Sequence, residues 1–208
     1  MAIVINGSGT VTGISVGGLP DGIVDAGTLA TDSVDSAELI NGAIDAAHLA
    51  SGVGGKVLQV VSTTVTAASN TNPSSSWTDV AGLTLDITPA SASNKIFLTG
   101  VVKGIGEEAV NNTGYRILKD GSEIAYRGDA ASSRSRSFSS LVGDSSDDSI
   151  GNHSINFLDT AGSSGSAITY KVQMYSNNIV YMNRNKNDAE NVDQHRVAST
   201  LTAMEIGV

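Results

Sequence analysis

The 208-residue chain contains no cysteine, which excludes disulfide bonds, thiolate nucleophiles and zinc-thiolate sites. Aromatic residues make up only 4% of the chain and charged residues only 16%, against about 25% charged residues in an average globular domain. Twelve basic residues face 21 acidic ones, and the net charge of −9 repels phosphate backbones and anionic lipids. We therefore expect no nucleic-acid partner.

Long apolar runs and metal-ligand motifs are also missing. No segment approaches the roughly 20 apolar residues that span a bilayer, so we expect no membrane insertion. The first residues lack the basic start and apolar stretch of a secretory signal, and we expect no export by that route. The three histidines, His48, His153 and His195, lie too far apart in sequence for a local metal motif. We expect neither a metal nor a cofactor.

The composition changes sharply near Gly54 and Gly55. Residues 1–55 hold six of the 21 acidic residues, 11 of the 23 glycines, and no Lys, Arg or aromatic residue. All basic and aromatic residues lie in 56–208. The two regions are therefore predicted to be different kinds of structure.

Residues 21–55 contain a repeat with a period of ten. A β-branched residue followed by Asp and a small residue recurs three times, and each copy has a Leu five positions later. The repeated apolar positions are Val24, Leu29, Val34, Leu39, Ile44 and Leu49. The β-branched residue favours extended backbone, and the Asp can cap a short helical turn that carries the Leu.

This repeat cannot stay folded by itself. Burying six such side chains contributes about 12 kcal/mol, whereas ordering about 30 residues costs about 45 kcal/mol. Either the segment is disordered or several copies wind around one axis and bury these side chains against one another, and the regular period favours winding. A third interpretation is one amphipathic helix from about Asp32 to Ala50, which Gly42 would interrupt. Ahead of the repeat, the alternation around Ile3 and Ile5 predicts an extended segment that docks on another protein, or a simple cap on the shaft.

Residues 56–208 show alternating apolar patterns separated by turn residues, with no convincing long helix. This spacing predicts an all-β domain built as an antiparallel two-sheet sandwich. In the clearest strand, Ala81–Thr88, every second residue is apolar. The clearest hairpin joins residues 115–118 to 123–126 through Asp120-Gly121. Further strands are predicted at 57–66, 95–102, 135–142, 150–158, 167–176, 179–183 and 197–206.

Nearly the whole chain resembles short tail-fibre proteins of tailed phages, notably those of cyanophages and other marine phages, and two parts carry the resemblance. One is the start Gly9-Thr10-Val11-Thr12-Gly13-Ile14-Ser15-Val16-Gly17-Gly18-Leu19-Pro20 with the repeats that follow it. The other comprises Tyr170-Lys171-Val172-Gln173, Val180-Tyr181-Met182-Asn183-Arg184 and Ser199-Thr200-Leu201-Thr202-Ala203-Met204-Glu205-Ile206, which are similar to the closing strands of the tips of such fibres. The resemblance implies a homotrimeric virion protein, assembled in the host cytoplasm, with a thin shaft and a jelly-roll head.

The predicted organisation is a virion-attachment segment at 1–20, an intertwined shaft at 21–55 and a β-sandwich head at 56–208. The predicted function is a non-enzymatic fibre that attaches to a tail, baseplate or capsid protein and binds a host surface glycan. A capsid head fibre or decoration protein is the first alternative. A depolymerase of surface polysaccharide is the second, and it would need paired carboxylates about 5 to 9.5 Å apart across a groove. The neighbouring acids Glu107-Glu108 and Asp147-Asp148 rarely converge in that way.

Three polar loops are long enough to carry function, at 130–137, 143–149 and 184–196. The last combines amides, charges and a neighbouring tyrosine, a set suited to a sugar, so we predict receptor binding by Tyr181, Asn183, Arg184, Asn185 and His195. Trp77 is a second aromatic candidate for sugar stacking, although core packing is favoured for it. The acidic turn 144–148 could offer oxygen ligands to Ca²⁺ but lacks EF-hand spacing, and a solvated turn is favoured.

Overall fold

The computed structural model describes residues 44, 56–107, 112–142 and 148–208. The chain divides into two units, Met1–Val53 and Gly54–Val208, and all strands described below belong to the second. The predicted attachment segment with Ile3 and Ile5, and the shaft positions other than Ile44, lie outside the described residues. Ile44 is 46% exposed in the single chain. The predicted attachment segment, shaft and domain boundaries stay predictions.

Within the described ranges the chain forms eleven β-strands and no helix. The strands are β1 (Val57–Val65), β2 (Ser69–Thr71), β3 (Ser76–Ile87), β4 (Lys95–Gly106), β5 (Asn112–Lys119), β6 (Ser122–Glu123), β7 (Ser139–Val142), β8 (Asn152–Thr160), β9 (Ile168–Ser176), β10 (Val180–Met182) and β11 (Ser199–Ile206). The predicted all-β class is confirmed. In these ranges the structure has no helix of the length and hydrophobicity needed to cross a membrane.

The strands form two sheets, and the neighbouring strands described below pair in antiparallel fashion. In the larger sheet the order is β1-β11-β4-β8, and β10 continues alongside β4 beyond β11 and carries β2 on its other edge. In the smaller sheet the order is β3-β9-β5, and the free edge of β5 pairs with β7 and with β6 at different positions.

One apolar core receives side chains from both sheets, which is consistent with a β-sandwich. Strand β3 shows the cause, because Leu83, Leu85 and Ile87 are buried while Thr84 and Asp86 are exposed. Strands β9, β4 and β11 alternate in the same way. In β3, the prediction that Leu83, Leu85 and Ile87 share one face is therefore confirmed.

The predicted hairpin is confirmed at its turn. Asp120 and Gly121 both adopt positive φ, +49° and +80°, which is the two-residue geometry that matches the twist of the flanking strands. Leu118 pairs with Glu123 and Lys119 with Ser122. The second strand is only two residues long, because after the Ile124 N–H donates to the Ile117 carbonyl at 3.3 Å the chain turns, with the Arg127 N–H donating to the Ala125 carbonyl at 2.8 Å.

Several predicted strand limits are wrong. Strand β3 begins at Ser76, five residues earlier than predicted, because a register shift between Asp79 and Thr84 lets the strand continue through a segment with no regular alternation. Strand β4 continues to Gly106, and the strand predicted from Ser135 begins only at Ser139. The short polar strand β2 was missed because it pairs with β10 through backbone groups alone and has no apolar pattern.

Glu205 is a buried carboxylate that fixes the connection between β3 and β4. It is 1% exposed and accepts hydrogen bonds from Gln59 Nε2 at 2.6 Å, Asn94 Nδ2 at 2.6 Å and the Ala90 N–H at 2.8 Å. Burial alone would raise the pKa of Glu205, but these hydrogen bonds outweigh it and hold the pKa below its usual value. The charge therefore has a structural role.

Candidate functional site

The predicted receptor-binding residues lie on β10 and on the loop that follows it. An antiparallel bridge between Arg184 and Arg196 closes the base of this loop. The Asp188 carboxylate forms a bidentate ion pair with the Arg196 guanidinium, with N–O distances of 2.6 and 2.7 Å. Its Oδ2 also lies 3.2 Å from Arg184 Nη1. These contacts order the loop from within.

Tyr181 is buried, with 8% of its surface exposed. The Arg184 guanidinium lies 4.8 Å from the centroid of its ring, and its hydroxyl donates to Glu107 Oε1 at 3.4 Å. Burial raises the pKa of Tyr181, and the Glu107 carboxylate adds to the effect. Because the side chain is buried, its ring has no open face on which a sugar could stack.

The two asparagines of the set are also buried. Asn183 donates to the carbonyls of Val65 at 2.8 Å and Ala67 at 3.0 Å, and accepts from Ser199 Oγ at 2.7 Å. Asn185 is held by Gln194 and by the Asp188 N–H. The amide groups of both asparagines are engaged in hydrogen bonds within the protein, whereas His195 is exposed. The five residues therefore do not form one open surface, and receptor binding by them stays a prediction.

A groove of about 440 Å³ lies on the outer face of the smaller sheet. Its floor is a cross-strand row in which Trp77 of β3 pairs with Tyr175 of β9, Tyr175 with Gly114 of β5, and Gly114 with Ser140 of β7. The loop before β7 supplies the remaining wall. The lining residues are Trp77, Gly114, Arg134, Ser135, Ser137, Ser140 and Tyr175.

The aromatic wall of this groove is held in place from the side. Trp77 is half-buried, and its ring lies 5.5 Å from that of Tyr175 with the planes tilted by 52°. The Arg116 guanidinium lies 4.4 Å from the Trp77 ring centroid and is itself held by two hydrogen bonds to Gln173 Oε1, at 2.9 and 2.7 Å, and an ion pair with Glu123. A cation over an aromatic face stabilises both groups, so the ring is presented in a defined position.

Gly114 gives the groove its depth. A Cβ atom at this position would lie 3.4 Å from Ser137 Cβ and 3.7 Å from Trp77 Cη2. Any side chain here would occupy the space between the aromatic wall and the serine wall. The absence of a side chain therefore opens the floor.

Arg134 is the exposed cation of the groove. Among the described residues its guanidinium has no ion pair or hydrogen bond. Ser135, Ser137 and Ser140 line the groove with it. Aromatic rings pack on the apolar faces of sugars, hydroxyl groups exchange hydrogen bonds with sugar hydroxyls, and a guanidinium pairs with a carboxylate. The arrangement suits a saccharide that carries an acidic group.

The sequence pointed to two parts of this groove without joining them. Trp77 and the 130–137 loop were both candidates, but core packing was favoured for Trp77, and that expectation is wrong because its ring lies on the outer face. Tyr175 and Gly114 were missed altogether. The alternation along β9 could have placed Tyr175 on the outer face, but only the strand pairing brings it beside Trp77.

The other sequence candidates do not form a site among the described residues. There, no three His, Asp or Glu side chains lie close enough together to hold a metal ion. In the acidic turn only Asp148 is described, and Glu108 and Asp147 also lie outside the described ranges, so neither neighbouring acid pair can be placed. No protein-family model matches the chain, and no curated protein matches it either.

Proposed function

We propose that this chain is a non-enzymatic virion fibre protein that forms a homotrimer and binds a host surface glycan through its head. Residues 1–20 attach to another virion protein and residues 21–55 form the shaft. The groove beside Trp77, rather than the loop after β10, is the glycan contact surface. The ligand is a saccharide with a carboxylate or similar acidic group.

The groove is the observation that carries this proposal. It combines two aromatic rings, three serines and the exposed side chain of Arg134, which has no ion pair among the described residues, in about 440 Å³, a volume in the range of small-molecule sites. The protein carries a net charge of −9, so an exposed cation at a groove is a specific attraction for an anionic group. The proposal depends on the presence of the two aromatic rings and Arg134 in the same groove.

The strand order supports a jelly-roll head. When the short strands β2 and β10 are set aside and β6 and β7 are taken together, eight strands remain in chain order. The larger sheet then has the order 1-8-3-6 and the smaller sheet 2-7-4-5, which is the arrangement of two nested Greek keys. Lectin domains and viral coat proteins are built in this way.

Trimerisation raises the overall affinity for a surface that carries many copies of the ligand. A shallow groove of this size is expected to bind one sugar unit weakly, and linking three copies through a shaft raises the avidity by about 10²- to 10⁴-fold. The ten-residue repeat supports such a shaft because it cannot bury its apolar residues in a single copy.

The first prediction tests the groove. Trp77→Ala is expected to weaken binding to immobilised oligosaccharides about tenfold, because the ring loses its stacking contact with the sugar. Arg134→Gln is expected to weaken binding to oligosaccharides that contain uronic acid and to leave binding to neutral ones unchanged. Binding is measured for both variants by surface plasmon resonance against both kinds of oligosaccharide, after equal melting temperatures have been verified.

Two further variants control this experiment. Gly114→Ala fills the floor of the groove at ordinary contact distances and should also reduce binding without loss of fold. Arg184→Gln is the matched arginine control in the loop after β10 and should bind as the wild type does. If Arg184→Gln loses binding while Trp77→Ala keeps it, the contact surface lies in that loop instead.

A further inference from the structure

The outer face of the larger sheet carries an exposed apolar patch. Val57, Leu58, Val60 and Leu158 are each 50 to 56% exposed, and they are four of the seven large apolar side chains exposed in the described residues. Scattered apolar residues on a surface need no explanation, but a contiguous patch marks an interaction surface.

The pairing register shows that the patch is contiguous. Val60 of β1 pairs with Met204 of β11, Met204 with Phe97 of β4, and Phe97 with Leu158 of β8. Met204 and Phe97 are half-buried, and both alternate with buried neighbours that face the core. One row of apolar side chains, here called the apolar row, therefore crosses four strands on the outer face.

The rest of this face is polar, and the charged side chains that β4 places on it, Lys95 and Lys103, are both cationic. The next row lies two residues further along each strand and consists of Ser62, Thr202, Thr99 and Asn156. Hydrogen bonds join Ser62 to Thr202 and Thr99 to Asn156. Neither row contains an acidic residue, although the chain has a net charge of −9. Identical acidic molecules repel each other, so a face without carboxylates is the one that a second copy can approach.

We propose that the apolar row is the interface between the heads of neighbouring copies of this chain. This inference rests on the proposed trimeric fibre and names the surface through which its heads pack. The patch lies at the end of the sheet where β1 begins at Val57, and only Lys56 separates Val57 from the predicted shaft at 21–55. When copies are joined through that region, the Val57 ends of their heads are kept close to one another, which gives these ends a high effective concentration. The groove beside Trp77 lies on the outer face of the other sheet, so packing through the apolar row leaves it open.

The second prediction tests this interface by crosslinking. The chain has no cysteine, so a single introduced thiol reports its surroundings without background. Val60→Cys and Leu158→Cys, each in the full chain, are expected to give covalent dimers with a short bis-maleimide reagent at low protein concentration. Val192→Cys is the matched control because Val192 is 90% exposed but stands apart from the row, and it should give no crosslink.

A charged double variant tests the energetic role of the same surface. Val60→Lys with Leu158→Lys places four or more repelling charges between packed copies, and we expect its melting temperature to fall by about 4 °C or more. On a face open to water the same change would leave melting unchanged. Val192→Lys with Ser166→Lys is the control with the same charge change at exposed loop sites, and it should melt as the wild type does.

The outcomes separate this inference from the proposed function. A light-scattering mass near three times 21.2 kDa, with crosslinking at Val60→Cys or Leu158→Cys, supports the interface. The same mass with slow maleimide reaction and no crosslink means that the chain's own segment covers the row, and rapid reaction with no crosslink means that the face is open. Either result overturns the inference and leaves the trimer intact. A monomeric wild-type chain overturns both the trimer and the interface, while the oligosaccharide measurements still report on the groove.

Discussion

His153 shows how one buried side chain couples this fold to pH. Only 2% of the residue is exposed, Nδ1 lies 2.9 Å from Ser139 Oγ, and the ring lies 4.3 Å from that of Tyr115. Nε2 is buried without a hydrogen-bond partner among the described residues. Burial lowers the pKa of His153 to about 4, and burial raises the pKa of Tyr115, so both groups stay neutral near pH 7.

The third prediction follows from the sign of this shift. Between pH 6.5 and 4 the unfolded chain binds a proton at His153 and the folded chain does not, so stability falls as the pH decreases through this range. We expect this group to lower the free energy of unfolding by about 2 kcal/mol at pH 5 relative to pH 7. Urea unfolding of the wild type and of His153→Gln at both pH values measures the effect. His195→Gln, at an exposed histidine, is the matched control, and an equal pH dependence in all three proteins would contradict the prediction.

At the scale of elements, the β5–β6 hairpin is defined by its turn. The Asp120 side chain accepts the Thr169 N–H at 2.9 Å, and the Asp120 N–H donates to the Thr169 carbonyl at 2.9 Å, so the turn is also tied to the start of β9. At Gly121 no atom lies within 4 Å of an added Cβ. The requirement for glycine is therefore conformational and not steric.

The fourth prediction isolates that requirement. Gly121→Ala should lower the free energy of unfolding by about 1 to 2 kcal/mol, because an L-residue at φ = +80° is strained. Gly128→Ala is the control, since its added Cβ meets only the Ser137 carbonyl oxygen at 3.9 Å and its φ is not positive. Chemical denaturation measures both variants, and equal stabilities would show that the turn tolerates alanine.

At the scale of the whole molecule, every described member of the apolar core lies in residues 56–208. Its buried members run from Val80 to Ala203, and the partly buried residues packed against it begin at Val61. The two outer faces of the sandwich differ in chemistry, one with an aromatic and cationic groove and the other with the apolar row. This difference is the basis for proposing that one face binds a ligand and the other packs against copies of the chain.

The fifth prediction is that this unit folds independently. A fragment of residues 56–208 should keep a β-rich circular dichroism spectrum and melt cooperatively, since it retains every described member of the core. The full chain should have a mass near three times 21.2 kDa by light scattering. The full chain measured in parallel is the control for the fragment. A fragment without a cooperative transition would show that the head depends on the first 55 residues.

Much of the local structure was predictable because it depends on neighbouring residues. The alternation of Leu83, Leu85 and Ile87 was enough to predict a half-buried strand, and Asp120-Gly121 was enough to predict the turn. The all-β class followed from many such patterns. The limits of β3 and the existence of β2 were not predictable, because a register shift and pairing through backbone groups leave no periodic pattern in the sequence.

The sequence alone therefore determined most of the strands, the turn of the hairpin and the contrast in composition between the first 55 residues and the rest. Only the tertiary structure decided which side chains meet. It buried Asn183 and Asn185 in a region predicted to be a binding surface, since their amides complete hydrogen bonds to distant backbone and loop groups. It joined Trp77, Tyr175 and Gly114, which lie up to 98 positions apart, because antiparallel pairing places them in one row. Contacts between strands depend on register, and register is set by the packing of the whole domain.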